Sequence, residues 1–268
     1  MLDRLLAWTG LMAEPGRWQL CQITALLAFA LLFSIGRRPG ERALPVALGV
    51  ICAALFACLL DPLLRLPAAI VGRFSEPLFR GVIVSYGALG GLVAGVAIAE
   101  KLASRSVANA LDQLAMPLGA VVVLSRLGCL LAGCDFGSPT SWRWAITYGA
   151  NTPALAAQRD AGLVPIDATE ALPVHPTQAY EMIAGLVMIA VALAIPERTR
   201  RRGPGIVFAA TAATYAMLRL FIEPLRGDPS PRILGLRLAM WLSVLALGLT
   251  GLLLPRPKPD ESPTARDR

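Results

Sequence analysis

The sequence predicts an all-α, polytopic membrane protein, and three observations lead there. Of its 268 residues, 56% are hydrophobic and 16% charged, against about a quarter charged in an ordinary soluble domain. About seven apolar segments, near residues 18–35, 43–60, 81–99, 112–133, 178–195, 204–222 and 237–254, approach the roughly 20 residues that cross a hydrocarbon core. Backbone groups in lipid must find their partners inside the segment, so runs of this length are helices.

Taken in order, the first segment ends at Gly36-Arg37-Arg38 without an Ala-x-Ala-like exit, which reads as a stop-transfer flank and not a cleavable signal. The second and third, 43–60 and 81–99, carry no charge, and the third is rich in glycine, "SYGALGGLVAG". The fourth closes on "SRLGCLLAGCDFG", where Arg126 has no charged neighbour from Pro117 to Gly133. The connection from Cys134 to Thr177 follows. The fifth segment opens with "LPVHPTQAYE". There Pro176 suits a first helical turn, and His175 is placed to be the N-cap with Gln178 reaching back. In the sixth, Tyr215, Arg219 and Glu223 stand four residues apart and share one face, with Arg226 shortly beyond. The expected organisation is an N-terminal region over 1–80, a membrane core over 81–254 and a disordered cytoplasmic tail, rich in proline and charge, over 255–268.

The net charge of +7 invites a nucleic-acid reading, but its placement argues for topology. Arg37, Arg38 and Arg42 follow the first segment, Lys101 and Arg105 the third, and Arg198, Arg200, Arg201 and Arg202 the fifth. The 134–177 connection holds only Arg143 and Arg159 as basic residues. The positive-inside rule then puts the N-terminus outside, the C-terminus in the cytoplasm and the connection outside, with Trp142, Trp144 and Tyr148 at the outer interface. The basic surplus answers to topology and anionic lipid, and no nucleic-acid partner is expected. One histidine and no pair of Cys-x-x-Cys motifs leave a metal site unexpected. Cys21, Cys52 and Cys58 read as small buried hydrophobes. Cys129 and Cys134 fall on different helical faces, and a disulfide between them requires the helix to break at Gly133.

Arg126 is the residue that asks for a function. An arginine in the middle of a membrane helix costs about 2.5–3.5 kcal/mol on insertion scales, so something must offset it. In one reading it pairs with Glu181, as Arg219 pairs with Glu223, and both pairs are structural. In the other, Arg126 and Arg219 lie at similar depth in the outer half of the bilayer and form a clamp for an anionic group. The nearby Gly128, Gly133 and Gly137 favour the second, since glycine lets a backbone approach a ligand. His175, the sole imidazole, belongs near the same outer end.

The blocks "SRLGCLLAGCDFGSPTSWRWAITY", "HPTQAYE" and "YAMLRLFIEPLRGDP", together with the glycine-rich segment and "ALDQLAMPLGAVVVLSR", resemble the signature blocks of bacterial prolipoprotein diacylglyceryl transferases over about residues 81–245. The resemblance implies a multi-pass enzyme of the bacterial inner membrane. Such an enzyme moves the diacylglyceryl group of phosphatidylglycerol onto the lipobox cysteine thiol of a prolipoprotein, forming a thioether and releasing glycerol phosphate without metal or cofactor. Its partners are phosphatidylglycerol, the lipobox peptide and membrane lipids. Carried onto this chain, it makes Arg126 and Arg219 the cations at the departing phosphate, with Gly128, Gly137, Tyr215, Glu223 and Arg226 contributing to the lipid site. The chain departs from the family at Tyr86-Gly87-Ala88, where many members have His-Gly-Gly. It departs again at Cys129 in place of asparagine, and at Cys134 or Asp135 in place of glutamate. With that histidine missing, the proton acceptors in view are His175 and Tyr86. Two other readings share the composition: a transferase with the same donor and another acceptor, and a non-enzymatic lipid-binding membrane protein.

Overall fold

The computed structural model describes residues 17–70, 85–229 and 232–253. The expected cytoplasmic tail lies outside the described residues. The helices are α1 (Arg17–Ser34), α2 (Ala43–Ile70), α3 (Ser85–Leu102), α4 (Val107–Ala132), α5 (Pro153–Asp160), α6 (Thr177–Ala194), α7 (Glu197–Arg202), α8 (Ile206–Ile222) and α9 (Leu238–Leu253). Within the described residues, each of the seven apolar segments therefore falls largely on a helix. Among the described residues, four stretches are long and apolar enough to cross a membrane: Pro39–Leu59, Val107–Ala132, Thr177–Ala194 and Ile206–Leu225. The outer faces of α1, α6 and α9 expose Leu20, Leu27, Leu31, Ile183, Leu186, Leu193, Leu245 and Leu249. Apolar side chains turned outward along helix after helix mark a surface solvated by hydrocarbon. The protein is an α-helical membrane protein.

α4 is the axis of the bundle. It packs against α1, α3, α6 and α8, starts at an Ser106 N-cap whose hydroxyl accepts from the Asn109 N–H at 3.3 Å, and stops at Gly133 in the left-handed region (φ 71°). That positive φ costs glycine nothing and turns the chain sharply out of the helix. α4 and α6 cross through Gly119 and Gly185. A Cβ on either would lie under 3 Å from the other's carbonyl oxygen. Without side chains between them the backbones touch, as small residues allow inside membranes. This crossing sets Arg126, two turns after Gly119, beside Glu181, one turn before Gly185.

The glycines of α3 are a packing strip as well. Gly87, Gly91 and Gly95 recur every four residues and lie against the Phe56, Cys52 and Leu48 carbonyls of α2, where a Cβ would clash with backbone. At the opposite end of the molecule from the 134–176 connection, Glu100 closing α3 accepts from Arg37 and Arg105, each at 2.6 Å. The ends of α1 and α3 are thereby tied together.

The connection between α4 and α6 folds on its own apolar core of Phe136, Ile146, Tyr148, Leu155 and Val174. Thr152 N-caps α5 inside it. His175 is not the N-cap of α6: Pro176 takes that position without a side-chain cap, and α6 begins at Thr177. Gln178 does not reach back either. Its amide donates to the Cys134 carbonyl at 2.6 Å and the Tyr148 hydroxyl at 3.1 Å, because the chain leaving α4 offers closer acceptors. Among the described residues, β1 (Arg232–Ile233) and β2 (Leu236–Arg237) form an antiparallel hairpin. Its turn has Leu234 and Gly235 both at positive φ, 50° and 82°, the pattern that matches strand twist.

The glycine strip makes a prediction within one dipeptide. Gly91 meets the α2 backbone, whereas a Cβ at Gly90 meets nothing. Gly91→Ala is expected to cost about 1–3 kcal/mol by overpacking, and Gly90→Ala to be neutral or stabilising through helix propensity. Thermal unfolding of the two variants in detergent checks the contrast. Equal midpoints would show that the strip does not carry the α2–α3 contact.

Candidate functional site

The charged residues that stand out in the sequence converge on one place, where the C-terminal ends of α4 and α8 meet the start of α6. Glu181 is fully buried there. One of its oxygens receives Arg126 Nε at 2.7 Å. The other receives Arg226 Nη1 at 3.2 Å and an ion pair from Arg219. Arg219 Nη2 also reaches Glu223 at 2.8 Å across one turn. Asp135, the second residue after Gly133, sits at φ 57° and pairs with both Arg126 and Arg226. Arg226 holds Asp228 at 2.8 Å. Arg237, at the root of the hairpin, binds Glu223 at 2.7 Å and Asp228 at 3.1 Å.

Charge within this network balances: Arg126, Arg219, Arg226 and Arg237 face Asp135, Glu181, Glu223 and Asp228. The pairs Arg126–Glu181 and Arg219–Glu223 of the structural reading both exist. They are also joined, because three arginines share one carboxylate, which is the convergence the clamp reading requires. Their common focus is already filled by an anion of the protein itself. The buried Nε of Arg219 has no hydrogen-bond partner among the described residues.

Electrostatics follow from burial. Burial is the largest influence on the Asp135 carboxyl and pushes its pKa up, but Arg226 and Arg126 outweigh it and hold it well below the usual carboxylate range. The His175 imidazole is pushed below its ordinary value by burial.

Two apolar cavities flank the network and share Tyr215. One of about 240 Å³ lies among α1, α2, α3 and α4 and reaches Arg126 and Ser125. The other, of about 410 Å³, lies among α3, α4, α6, α8 and α9, with Tyr86 and Thr211 on its wall. Tyr215 donates weakly to Glu181 at 3.4 Å, so the polar stripe of α8 faces the network as its spacing indicates.

The remaining expected site residues are placed differently. Tyr86 lies near Tyr215, with ring centroids 6.2 Å apart, and its hydroxyl is 2.5 Å from Ser243 Oγ of α9. Ser243 spends its own proton on the Ala239 carbonyl at 2.8 Å, so Tyr86 is the donor to Ser243 and the chain of hydrogen bonds ends on backbone. That arrangement holds the phenol proton and gives it no onward route. His175 stands at the end of the connection between α4 and α6, edge-on to Trp142 at 5.0 Å, with Nδ1 3.3 Å from the Tyr180 hydroxyl. These contacts tie it to the aromatic rim rather than to the arginines. Gly128 and Gly137 do not open space for a lipid. The room beside Gly128 is taken by Cys21, and Gly137 lies on the His175 backbone, donating its N–H to the His175 carbonyl at 3.1 Å. Sequence reasoning overlooked Asp228 and Arg237. Asp228 lay within the block that ends "PLRGDP", whereas Arg237 had no signal beyond a charge at the start of the last apolar run.

A family model described as prolipoprotein diacylglyceryl transferase matches residues 41–254. The chain belongs to the prolipoprotein diacylglyceryl transferase family. Proteins named phosphatidylglycerol–prolipoprotein diacylglyceryl transferase from Frankia alni and Acaryochloris marina are 31% and 32% identical to it, each over 190 residues. These matches cover 69% and 68% of this chain, and 47% and 65% of the relatives. A relative of the same name from Nostoc is 30% identical over 71% of the chain. The chain thus spans about half to two thirds of the length of these transferases. The Arg126 block and the α8 stripe both lie inside the matched range.

Two predictions follow from the network. Glu181→Gln leaves three buried arginines short of their common partner and is expected to destabilise the fold by about 3–5 kcal/mol, read as a lowered thermal midpoint in detergent. A midpoint within a degree of wild type would remove Glu181 from its central role. Asp135 titrates lower in the folded chain than its unfolded value of about 3.9, so its stabilisation is complete above that value and is lost as pH falls below it. Wild type and Asp135→Asn should therefore differ most near neutral pH and converge in strong acid. A difference that does not depend on pH would assign the effect to backbone strain at this position.

Proposed function

We propose that this protein transfers the diacylglyceryl group of phosphatidylglycerol to the lipobox cysteine thiol of prolipoproteins, as a multi-pass enzyme of the bacterial inner membrane. The observation that carries the reading is the convergence of Arg126, Arg219 and Arg226 on one buried point between apolar cavities. Family membership supports it. We further propose seven membrane crossings, with the N-terminus and the 134–177 connection outside and the C-terminus in the cytoplasm. This follows from the basic residues that flank the segments.

In the reaction, the acceptor sulfur attacks the glycerol carbon that carries the phosphate. The C–O bond breaks, the thioether C–S bond forms, glycerol phosphate leaves with the electron pair, and the thiol proton passes to an acceptor. Negative charge grows on the leaving phosphate, and guanidinium groups already fixed in a dry site stabilise it without reorganising. Because the site is charge-balanced at rest, an incoming phosphodiester has to replace a carboxylate contact. Asp135 is the partner that yields. Its side chain is 27% exposed, against 2% or less for Glu181 and Glu223. Glu181 and Glu223 then keep Arg126 and Arg219 aimed, and the free Nε of Arg219 supplies a further donor. For the thiol proton, His175 is the better acceptor of the two candidates, since burial lowers its pKa and keeps the imidazole neutral, whereas Tyr86 is committed to Ser243.

Purified protein with phosphatidylglycerol and a lipobox peptide should yield the diacylglyceryl-thioether peptide by mass spectrometry. Arg126→Ala and Arg219→Ala are each expected to abolish product while the protein remains in the membrane fraction. Lysine should restore little, because a point charge lacks the bidentate fork that grips phosphate and carboxylate. Near-normal turnover in either alanine variant would return the arginines to a structural role. Consumption of phosphatidylglycerol without peptide product would favour a different acceptor.

A further inference from the structure

Two thiols beside the arginines are unused by the network. Cys129 lies in the last turn of α4, buried, three residues beyond Arg126 and so on the same side of the helix. Residues five apart in an unbroken helix point to different faces, but Gly133 at φ 71° reverses the chain. Cys134 is folded back, and its thiol lies 3.8 Å from the Cys129 carbonyl oxygen. The two sulfurs and a carboxylate oxygen of Asp135 all lie within 4.8 Å of one another. Both thiols are free. The backbone around Cys134 is pinned to α6, since Gln178 donates to the Cys134 carbonyl at 2.6 Å and Thr177 to the Asp135 carbonyl at 2.7 Å. The sulfurs are thus held near each other by backbone contacts that do not involve them.

We propose that Cys129 and Cys134 form a redox-active pair, a site at which an external disulfide oxidises the chain and locks the corner that carries Asp135. The half-buried Cys134 thiolate attacks one sulfur of the oxidant and releases its first thiol. Cys129 then attacks the Cys134 sulfur of the mixed disulfide and releases the second. Two protein thiols and one external disulfide become one protein disulfide and two external thiols, with the electron pair and both protons carried away by the oxidant. Closing the bond to about 2.05 Å needs side-chain rotation within a corner already bent by Gly133. Asp135 follows Cys134 directly, so the cross-link restrains the carboxylate that bridges Arg126 and Arg226. This last consequence rests on the proposed function, in which Asp135 has to yield to the phosphodiester.

Full-length protein in detergent, equilibrated with oxidised glutathione and then alkylated and digested, reports the pair directly. The expected result is a Cys129–Cys134 peptide cross-link that disappears with dithiothreitol, with Cys21 still alkylated. Cys134→Ser should leave Cys129 alkylated under the same conditions, and because the cross-link is read on wild type, a poorly folded variant does not decide the matter. Both thiols alkylated at every glutathione ratio, or a bond from Cys129 to Cys21, would overturn the site. In the transfer assay, an open corner populated about tenfold less should lower turnover at subsaturating lipid about tenfold. The loss should reverse on reduction and be absent in Cys134→Ser. A fully cross-linked protein as fast as the reduced one would overturn the restraint on Asp135. Reduced protein with no transfer at all would count against the proposed function and leave the cross-link result standing.

Discussion

Three guanidinium groups meet on the two oxygens of Glu181 in a fully buried position, and the arrangement of this end of the bundle follows from that meeting. A lone buried carboxylate or guanidinium carries a desolvation cost of several kcal/mol, and a pair repays it only with good geometry and further hydrogen bonds. Here the repayment is spread over a network. Asp135, Glu223 and Asp228 take the remaining guanidinium faces, and Arg237 closes the far edge. The members come from six pieces of chain: α4, its exit turn, α6, α8, the turn after α8 and the hairpin. Binding the charges therefore also binds those segments to one another.

Such a meeting needs helices close enough for short reach, and glycine provides the approach. Gly119 against Gly185 brings α4 and α6 to backbone contact and sets the separation of Arg126 and Glu181. Gly87, Gly91 and Gly95 do the same for α2 and α3, and the cavity that reaches Arg126 is walled by these helices with α1 and α4. The hydrophobic effect does not distinguish a helix face in lipid from one in the bundle, so close van der Waals packing and buried polar contacts have to choose the partners. In this protein the small residues and the ion network choose consistently.

The structure gives a local role to each of the residues that the sequence set apart from the family blocks it resembles. Tyr86 donates to Ser243 and fills a wall of the larger cavity instead of offering a base. Asp135 supplies the carboxylate between Arg126 and Arg226, at the cost of a left-handed backbone that aspartate tolerates better than most residues. Cys129 and Cys134 place two thiols in the turn between them.

Much of the architecture was legible from the chain alone, because length and apolar content decide what a membrane segment can be. Each expected segment is a helix, and the four-residue spacing of Tyr215, Arg219 and Glu223 sufficed to align them on one face. That Arg126 would need something to offset it followed from the cost of a buried charge, and Glu181 was one of the candidates. Tertiary structure decided the rest. Which carboxylate serves which arginine depends on the angle at which α4 and α6 cross, and a sequence does not carry an angle. The role of Gly128 and Gly137 depended on whether a ligand or another backbone stands opposite, and Cys21 and His175 stand there. Arg237 was hidden because its function requires a hairpin to turn it back toward Glu223, a contact 14 residues away in sequence. Local periodicity determines which face a residue occupies, and only the packed chain determines what that face meets.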